Sequence, residues 1–309
     1  MIPTRNFLKK FAAVFFSASI LFTPLASAET LTYEQINPPV EKFISELPVK
    51  KNYKVRKRPI LIQGAMTAEV GRLMNALKNP VAYRYMNYVF VAGTYRDYPV
   101  VVSRTEIGIA NAAVATAFAI EHFKPIAVIN QGTAGGYTPE LHLNDIVIAD
   151  KSINYTAYRE DYSPAGEFDF TKQTLRGTYV FDDSKPTEFT RFPSLATNAK
   201  LLQIAKDTAL MNGNWNVTVG TIGSADAWID AVDHINFLHD NYGMLCEEME
   251  TNSVAQVCYT AKVPFIGIRV ISDNTITGEK FDLGTALNCQ DFALLVTENL
   301  IHAINRGRF

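Results

Sequence analysis

The sequence predicts a single-domain α/β fold, an α/β/α sandwich around a central mixed, largely parallel twisted sheet. After residue 58, short apolar runs of strand length alternate with longer stretches whose apolar residues recur every three to four positions. This alternation is typical of a sheet that carries helices on both faces. The chain shows no internal repeat, so residues 59–309 are expected to form one domain rather than an array.

Pattern and length predict the individual elements in chain order. Strands are expected at 59–63, 88–92, 100–103, 127–130, 145–149, 217–222, 244–246 and 265–271. Helices are expected at 67–77, 109–123, 201–211, 230–239, 250–261 and 285–304. The two runs around Arg96-Asp97-Tyr98-Pro99 predict a β-hairpin, and the GTAGG sequence at 132–136 predicts a tight glycine turn.

Two segments depart from this pattern. Residues 29–58 are polar, contain two adjacent prolines and end in a basic run from Lys50 to Arg58. They predict an extension outside the core; a solvated linker is favoured for its basic end, and a weak polyanion contact is the alternative. Residues 154–195 are rich in Tyr, Phe, Asp and Pro without clear periodicity, which predicts a functional loop or lid, with an unrecognised hairpin as the alternative.

The N-terminus has the three-part pattern of a secretory signal peptide. Arg5, Lys9 and Lys10 precede an apolar run at 11–25, which is followed by the small residues at 26–28. The apolar run is shorter than the roughly 20 residues that cross a bilayer. We therefore expect residues 1–28 to be a signal peptide and the protein to be exported, periplasmic or secreted; an uncleaved anchor or a buried helix is the alternative.

Charge and cysteine content exclude several function classes. Lys and Arg together number 29 against 31 Asp and Glu, and the net charge of −2 gives no overall electrostatic reason to bind nucleic acid. The three cysteines, an odd number, allow at most one internal disulfide and form no CxxC pair. No histidine pattern has the spacing of metal ligands, so no metal and no cofactor are expected.

Acidic and hydroxyl side chains follow the predicted strands, where ligands bind in α/β sheets. These residues are Glu69, Glu106, Thr133, Asp226, Glu248, Glu250, Ser272 and Asp273. No Cys-His or Ser-His arrangement occurs among them, which disfavours a covalent acyl mechanism. The set indicates acid/base chemistry on a neutral or cationic group.

Six blocks in this order resemble the nucleoside phosphorylase superfamily, above all its branch of 5′-methylthioadenosine/S-adenosylhomocysteine nucleosidases. The blocks are GAMTAEV at 64–70, IG at 107–108, GTAGG at 132–136, SADAWI at 224–229, EME at 248–250 and RVISD at 269–273. The resemblance implies hydrolysis of the N-glycosidic bond of a purine nucleoside by water, with no cofactor, in a homodimer.

The resemblance also implies a role for each matched residue. Asp273 would protonate the leaving purine, Glu250 would bind the ribose and stabilise its developing charge, and Glu69 would orient or deprotonate the water. Among the substrate-binding residues, Met249 and Ile107 are expected at the sugar and Trp228 over the base. Ile229 would bind the purine edge through its backbone, and Thr133 and Arg269 would hold the water and Glu250. Ser272 would orient Asp273, and Glu248 is a further expected binding residue. Phe281 or a residue of the expanded segment would close the 5′ pocket from the partner subunit of the dimer.

Departures from the family leave alternatives open. Trp228 stands where Phe is common, Glu106 replaces a Gly, and residues 154–195 are expanded, so the resemblance does not fix the preferred 5′ substituent. A phosphorylase is the first alternative, but such enzymes have an Arg where this chain has Asn130, and phosphate would be repelled by Glu69. A non-catalytic storage or polyanion-binding protein is the second alternative.

Overall fold

The structure is a computed structural model that describes residues 33–182 and 185–309. The predicted signal peptide at 1–28 lies outside the described residues. The α-helices are α1 Tyr33–Glu46, α2 Thr67–Asn75, α3 Ile109–Phe123, α4 Ala199–Asn212, α5 Val232–Tyr242, α6 Thr251–Thr260 and α7 Ala286–Asn305. No helix within the described ranges is long and apolar enough to cross a membrane.

Fourteen strands are described in this part of the chain. They are β1 Ile60–Gly64, β2 Lys78–Tyr85, β3 Tyr88–Tyr95, β4 Tyr98–Arg104, β5 Ala127–Gly136, β6 Ile146–Asn154, β7 Tyr158–Arg159, β8 Thr174–Leu175, β9 Thr178–Asp182, β10 Lys185–Phe192, β11 Leu195–Ala196, β12 Val217–Ser224, β13 Met244–Glu248 and β14 Phe265–Asp273. Ten of them form one mixed sheet, in the order β11-β6-β12-β13-β5-β1-β4-β3-β2, with β14 between β5 and β6.

The sheet is covered by helices on both faces, which confirms the predicted sandwich. Helices α1, α2, α4 and α7 share one apolar cluster with one face of the strands. Helices α3 and α6 share a second cluster with the opposite face. The pairings of β5, β14, β6, β12 and β13 also close into a ring. This ring brings the ends of five strands together around one point.

The predicted glycine turn at 132–136 is wrong, because these residues continue strand β5. Strand β14 pairs with this stretch in parallel from Gly132 to Gly135, and β13 pairs with its other edge at Gly135 and Gly136. Pairing on both edges overrides the local preference of glycine for turns. The glycines instead let side chains of the neighbouring strands lie over the backbone of β5.

The predicted hairpin is confirmed, and it carries an additional strand. Strands β3 and β4 pair antiparallel, with Tyr95 opposite Tyr98. Strand β2 is not predicted from the sequence. It pairs with β3 at the edge of the sheet and begins with the polar residues Lys78 and Asn79. An edge strand that is exposed at several positions lacks the apolar run by which strands are recognised.

The extension at 29–58 is not wholly outside the core, which corrects the prediction. Helix α1 buries Val40 and Ile44 in the same cluster as α2 and α7. The basic run is exposed, but Lys57 lies over the ring of Tyr98 at 3.9 Å, and Arg58 donates hydrogen bonds to the carbonyl oxygens at the end of α3. Both α1 and the end of the basic run therefore pack against the domain.

The segment 154–195 contains two short antiparallel pairs rather than an irregular loop. Strands β7 and β8 form one pair, and β9 and β10 form the other. The alternative of an unrecognised hairpin is the one the structure supports. The second residue of the segment, Tyr155, is buried and donates a hydrogen bond to Glu247.

Candidate active site

A cavity opens where β1, β5, β12, β13 and β14 end, at the site predicted from the polar residues after the strands. Its lining residues are Ala65, Met66, Glu69, Ile107, Thr133, Ala134, Gly135, Ala227, Trp228, Glu247, Glu248, Met249, Glu250, Ser272, Asp273 and Phe281. Every residue predicted for the site lines this cavity except Ile229 and Arg269. The lining combines buried carboxyl groups with an apolar rim.

Glu69 is held by four hydrogen bonds at the start of helix α2. Its Oε2 accepts from the backbone N–H groups of Ala65 at 2.8 Å and Met66 at 2.9 Å. Its Oε1 accepts from the backbone N–H of Thr133 at 2.8 Å and from the Thr133 hydroxyl at 3.0 Å. The positive end of the helix dipole favours a negative charge here. Glu69 is thus a fixed carboxylate at the cavity wall.

Arg269 lies behind the cavity rather than in its wall. The side chain is 1% exposed and pairs with Glu248. Its Nη2 also donates to Oδ1 of Asn130 at 2.6 Å and to Oγ1 of Thr251 at 2.9 Å, and lies 3.6 Å from Oε2 of Glu250. Arg269 is therefore a positioning residue for Glu248 and Glu250.

Glu250 lies at the start of helix α6 with its carboxyl group in the cavity. Its Oε1 accepts a hydrogen bond from the backbone N–H of Gly108 at 2.9 Å. Burial, and next the charge of Glu248, raise the pKa of Glu250 to about 8, while Arg269 acts in the opposite direction. A group that binds here with hydroxyl donors or positive charge favours the ionised form of Glu250.

Glycine at position 108 is required by the backbone that holds Glu250. Gly108 has a φ of +103°, and a Cβ atom there would lie 2.8 Å from Oδ1 of Asp226. Asp226 uses this oxygen to accept a hydrogen bond from the backbone N–H of Ile109 at the start of α3. The contact of Asp226 with Gly108 and Ile109 thus joins the SADAWI block to the loop that binds Glu250.

Asp273 ends strand β14 and faces the opposite side of the cavity. Its Oδ1 accepts a hydrogen bond from the Ser272 hydroxyl at 2.8 Å, as the prediction for Ser272 requires. Burial raises the pKa of Asp273, and the charge of Asp230 adds to this effect, while the Ser272 hydroxyl lowers it. Burial thus favours the protonated form, which can act as a proton donor.

Glu247 is a lining residue that the sequence analysis missed. Its Oε2 accepts a hydrogen bond from the hydroxyl of Tyr155 at 2.6 Å, and its Oε1 accepts from the backbone N–H of Ile229 at 2.8 Å. The Ile229 N–H, which is predicted to bind the purine edge, donates to Glu247 in this structure. The run of acidic residues at the end of β13 is the sequence signal that identifies Glu247.

The open side of the cavity is apolar and partly exposed. Trp228 is 60% exposed, Phe281 is 42% exposed, and their ring centroids lie 5.7 Å apart. Ile107 is also exposed, and Met249 lines the wall beside Glu250. Flat rings and an apolar wall suit a planar heterocycle with an apolar substituent.

Three further points concern Glu106, metal ligands and the cysteines. Glu106 does not line it, because its Oε1 pairs with Arg104 at 3.0 Å. The residues that the structure describes contain no group of three or more His, Cys, Asp or Glu side chains arranged to hold a metal ion. Cys246, Cys258 and Cys289 are buried free thiols, so the structure has no disulfide among them.

Comparison with known proteins agrees with this geometry. A model of the phosphorylase superfamily matches residues 59–303. A 5′-methylthioadenosine/S-adenosylhomocysteine nucleosidase of Bacillus licheniformis is 31% identical over 252 residues, which cover 80% of this chain and 98% of that protein. The nucleosidase of Shewanella halifaxensis is 31% identical over 218 residues, which cover 69% of this chain and 85% of that protein.

Solved structures show the same fold. The nucleosidase of Neisseria meningitidis in complex with methylthio-immucillin-A has a TM-score of 0.64 and 24% identity, over 78% of this chain and 99% of that one. A futalosine hydrolase of Helicobacter pylori has a TM-score of 0.63 and 23% identity, over 78% of this chain and 97% of that one.

Proposed function

This chain belongs to the phosphorylase superfamily, and on that premise we propose that it hydrolyses the N-glycosidic bond of an adenine nucleoside. The substrate is 5′-methylthioadenosine, S-adenosylhomocysteine or a related adenine nucleoside, and the free base is released. The observation that carries the proposal is the convergence of Asp273, Glu250 and Glu69 on one cavity. The three carboxyl groups differ in environment, as separate roles in acid/base catalysis require.

The reaction breaks the bond between purine N9 and ribose C1′, and the bonding electrons leave with the base. Asp273 transfers its proton to N7 of the purine, so the base leaves as a neutral molecule. The ribose carries positive charge in the transition state, and the buried carboxylate of Glu250 stabilises it. Water forms the new bond to C1′, and its proton passes to Glu69. The products are the free base and the free sugar.

Water is favoured over phosphate as the nucleophile by the charges that surround the cavity. Glu69, Glu248 and Glu250 line the cavity with carboxyl groups, and Glu69 would place its negative charge beside the nucleophile. The nearby cation, Arg269, is already paired with Glu248 and is buried behind the wall. A phosphate dianion would therefore be repelled without a free cation to bind it. The phosphorylase alternative requires such a cation.

A product screen tests the proposed reaction. 5′-Methylthioadenosine, S-adenosylhomocysteine, adenosine and inosine are incubated with the protein in buffers with and without phosphate, and the released bases and sugars are identified. We expect adenine and a free sugar, at the same rate in both buffers. Strict dependence on phosphate, with a sugar 1-phosphate as product, would establish the phosphorylase alternative instead.

The storage or polyanion-binding alternative depends on the exposed basic run from Lys50 to Arg58. As a secondary activity, we propose only a weak polyanion contact through this run. The test is retention on heparin as a function of salt, with nucleoside hydrolysis measured on the same sample. Salt-sensitive retention together with absence of hydrolysis of every purine nucleoside would favour the non-catalytic alternative.

We also propose that the functional protein is a homodimer. Trp228, Phe281 and Ile107 are large apolar residues exposed beside the cavity, and a second copy that covers them would exclude water from the site. Sedimentation velocity gives the mass in solution. A monomer at concentrations where the protein is fully active would contradict this proposal.

We propose export through the signal peptide at 1–28. The basic start, short apolar run and small residues before position 29 support it. N-terminal sequencing of protein recovered from cell fractions is the test. We expect a mature chain that begins at Glu29 outside the cytoplasm, and an unprocessed chain in the cytoplasm would contradict export.

A further inference from the structure

Two carboxyl side chains face each other across a glycine on the cavity floor. Gly135 in β5 is paired with Asp273 of β14 on one edge and with Glu247 of β13 on the other. A Cβ atom at Gly135 would lie 3.1 Å from Oδ2 of Asp273 and 3.7 Å from Cγ of Glu247. Adjacent strands lie about 4.8 Å apart, so the two outer backbones are about 10 Å apart. Gly135, Asp273 and Glu247 all line the cavity, so a ligand group over Gly135 lies within reach of both carboxyl groups.

Glu247 is held in place by hydrogen-bond donors, which favour its ionised, accepting form, although burial raises the pKa of its carboxyl group. The residue is 7% exposed, and its two oxygens accept from Tyr155 and from the Ile229 N–H. Tyr155 is itself buried and does not line the cavity. The Tyr137 hydroxyl also faces this carboxyl group. A carboxylate has about four acceptor positions, so at least one is still available for a ligand. These contacts fix the carboxylate beside the place that the base would occupy.

We propose that Glu247 determines the choice of base, by accepting a hydrogen bond from the exocyclic amino group at C6 of the purine. The inference rests on the proposed function, because that function places Asp273 at N7 of the base. The amino group at C6 lies next to N7 on the purine ring. With Asp273 at N7, this group lies over Gly135, between Asp273 and Glu247.

The same arrangement disfavours a 6-oxopurine. An amino group carries two N–H donors that point to opposite sides, and each side of the floor presents a carboxyl oxygen. A carbonyl oxygen at C6 has no donor, and it would face the acceptor oxygens of Glu247 without a proton between them. A site built to accept a donor rejects an analogue that lacks it, because the buried acceptor is left unpaired.

The test compares two nucleosides that differ only at C6 of the purine, 5′-methylthioadenosine and 5′-methylthioinosine. The kcat/KM ratio of the two is measured for the wild type, for Glu247→Gln and for Tyr155→Phe. The Gln side chain keeps the size of Glu247 and can still accept from the Ile229 N–H, but it adds an N–H donor. Glu121→Gln is the matched control, since its side chain is 84% exposed on helix α3.

We expect the wild type to prefer the 6-amino nucleoside and Glu247→Gln to lower the ratio at least about tenfold. Tyr155→Phe is expected to lower it less, and Glu121→Gln is expected to leave it unchanged. A wild type that prefers the 6-oxo nucleoside, or an unchanged ratio in Glu247→Gln, would overturn the assignment.

Base binding gives a second measurement that does not depend on turnover. Calorimetric titration with adenine and with hypoxanthine is expected to show the same change of preference in Glu247→Gln. If the wild type hydrolyses neither nucleoside, the proposed reaction fails, while the relative affinity for the two bases still decides the role of Glu247. Equal affinities of the wild type for adenine and hypoxanthine would contradict that role.

Discussion

Gly132→Ala places a methyl group between the two charged groups that organise the cavity. Gly132 in β5 is paired with Arg269 in β14. A Cβ atom at this position would lie 2.6 Å from Oε1 of Glu69 and closer still to Nη1 of Arg269. Both distances are shorter than any that real Cβ atoms show, so the two side chains must move.

The size of that movement sets the expected effect. To restore ordinary van der Waals contact, the carboxylate of Glu69 and the guanidinium of Arg269 have to shift by up to about 1 Å. A misplacement of about 1 Å at a catalytic group lowers the rate by on the order of 10²-fold. Overpacking costs about 1–3 kcal/mol of folding free energy, so the variant is expected to fold with a lower melting temperature.

The assay is kcat/KM for 5′-methylthioadenosine, together with thermal denaturation. Gly220→Ala is the matched control, because its methyl group would overlap the end of the flexible Leu245 side chain, away from the cavity. We expect the control to lose some stability and to keep its activity. Wild-type activity in a folded Gly132→Ala protein would refute the inference that the placement of Glu69 and Arg269 controls the reaction.

The remaining predictions concern Asp273 and Glu250. Asp273→Asn is expected to lower kcat by about 10²–10⁴-fold without loss of fold, because an amide cannot transfer the proton; an unchanged rate in steady-state assays would exclude this residue as the acid. Glu250→Gln is expected to abolish most hydrolysis while circular dichroism remains native, and undiminished turnover would contradict its role. In the folded state Glu250 has a pKa of about 8 against an ordinary value of 4.5, so its contribution to stability is full below about pH 4.5 and is lost as pH rises through about 8. Melting temperatures across this range should fall less steeply in Glu250→Gln than in the wild type, and parallel curves would rule out this titration.

The sequence predicted those parts of the fold in which local pattern and tertiary environment agree. The strand that became β1 and the helix α3 have apolar residues at the right spacing, and both were located to within a residue. The stretch at 132–136 was wrongly predicted as a turn, because its strand geometry is imposed by pairing with β13 and β14. The local sequence GTAGG does not indicate that two other strands pair with it.

The candidate site was predictable to the extent that its residues follow strands or belong to the six blocks. Glu69, Glu250 and Asp273 meet in one cavity, as expected from the common edge at which their strands end. Glu247 is not among the predicted site residues, because its position opposite Asp273 follows from sheet pairing. Both residues pair with Gly135, one on each edge of β5. Arg269 is expected beside the water and Glu250, and the structure places it behind the cavity wall, paired with Glu248 and 3.6 Å from Glu250.

The identity of the nucleophile is the most direct test of the central claim. 5′-Methylthioadenosine is converted in a single turnover in phosphate-free H₂¹⁸O, and the sugar and the base are analysed by mass spectrometry. We predict one ¹⁸O atom in the released 5-methylthioribose, none in adenine, and no change in rate when phosphate is added. A sugar without ¹⁸O, or turnover only after phosphate is supplied, would contradict hydrolysis by water at this site.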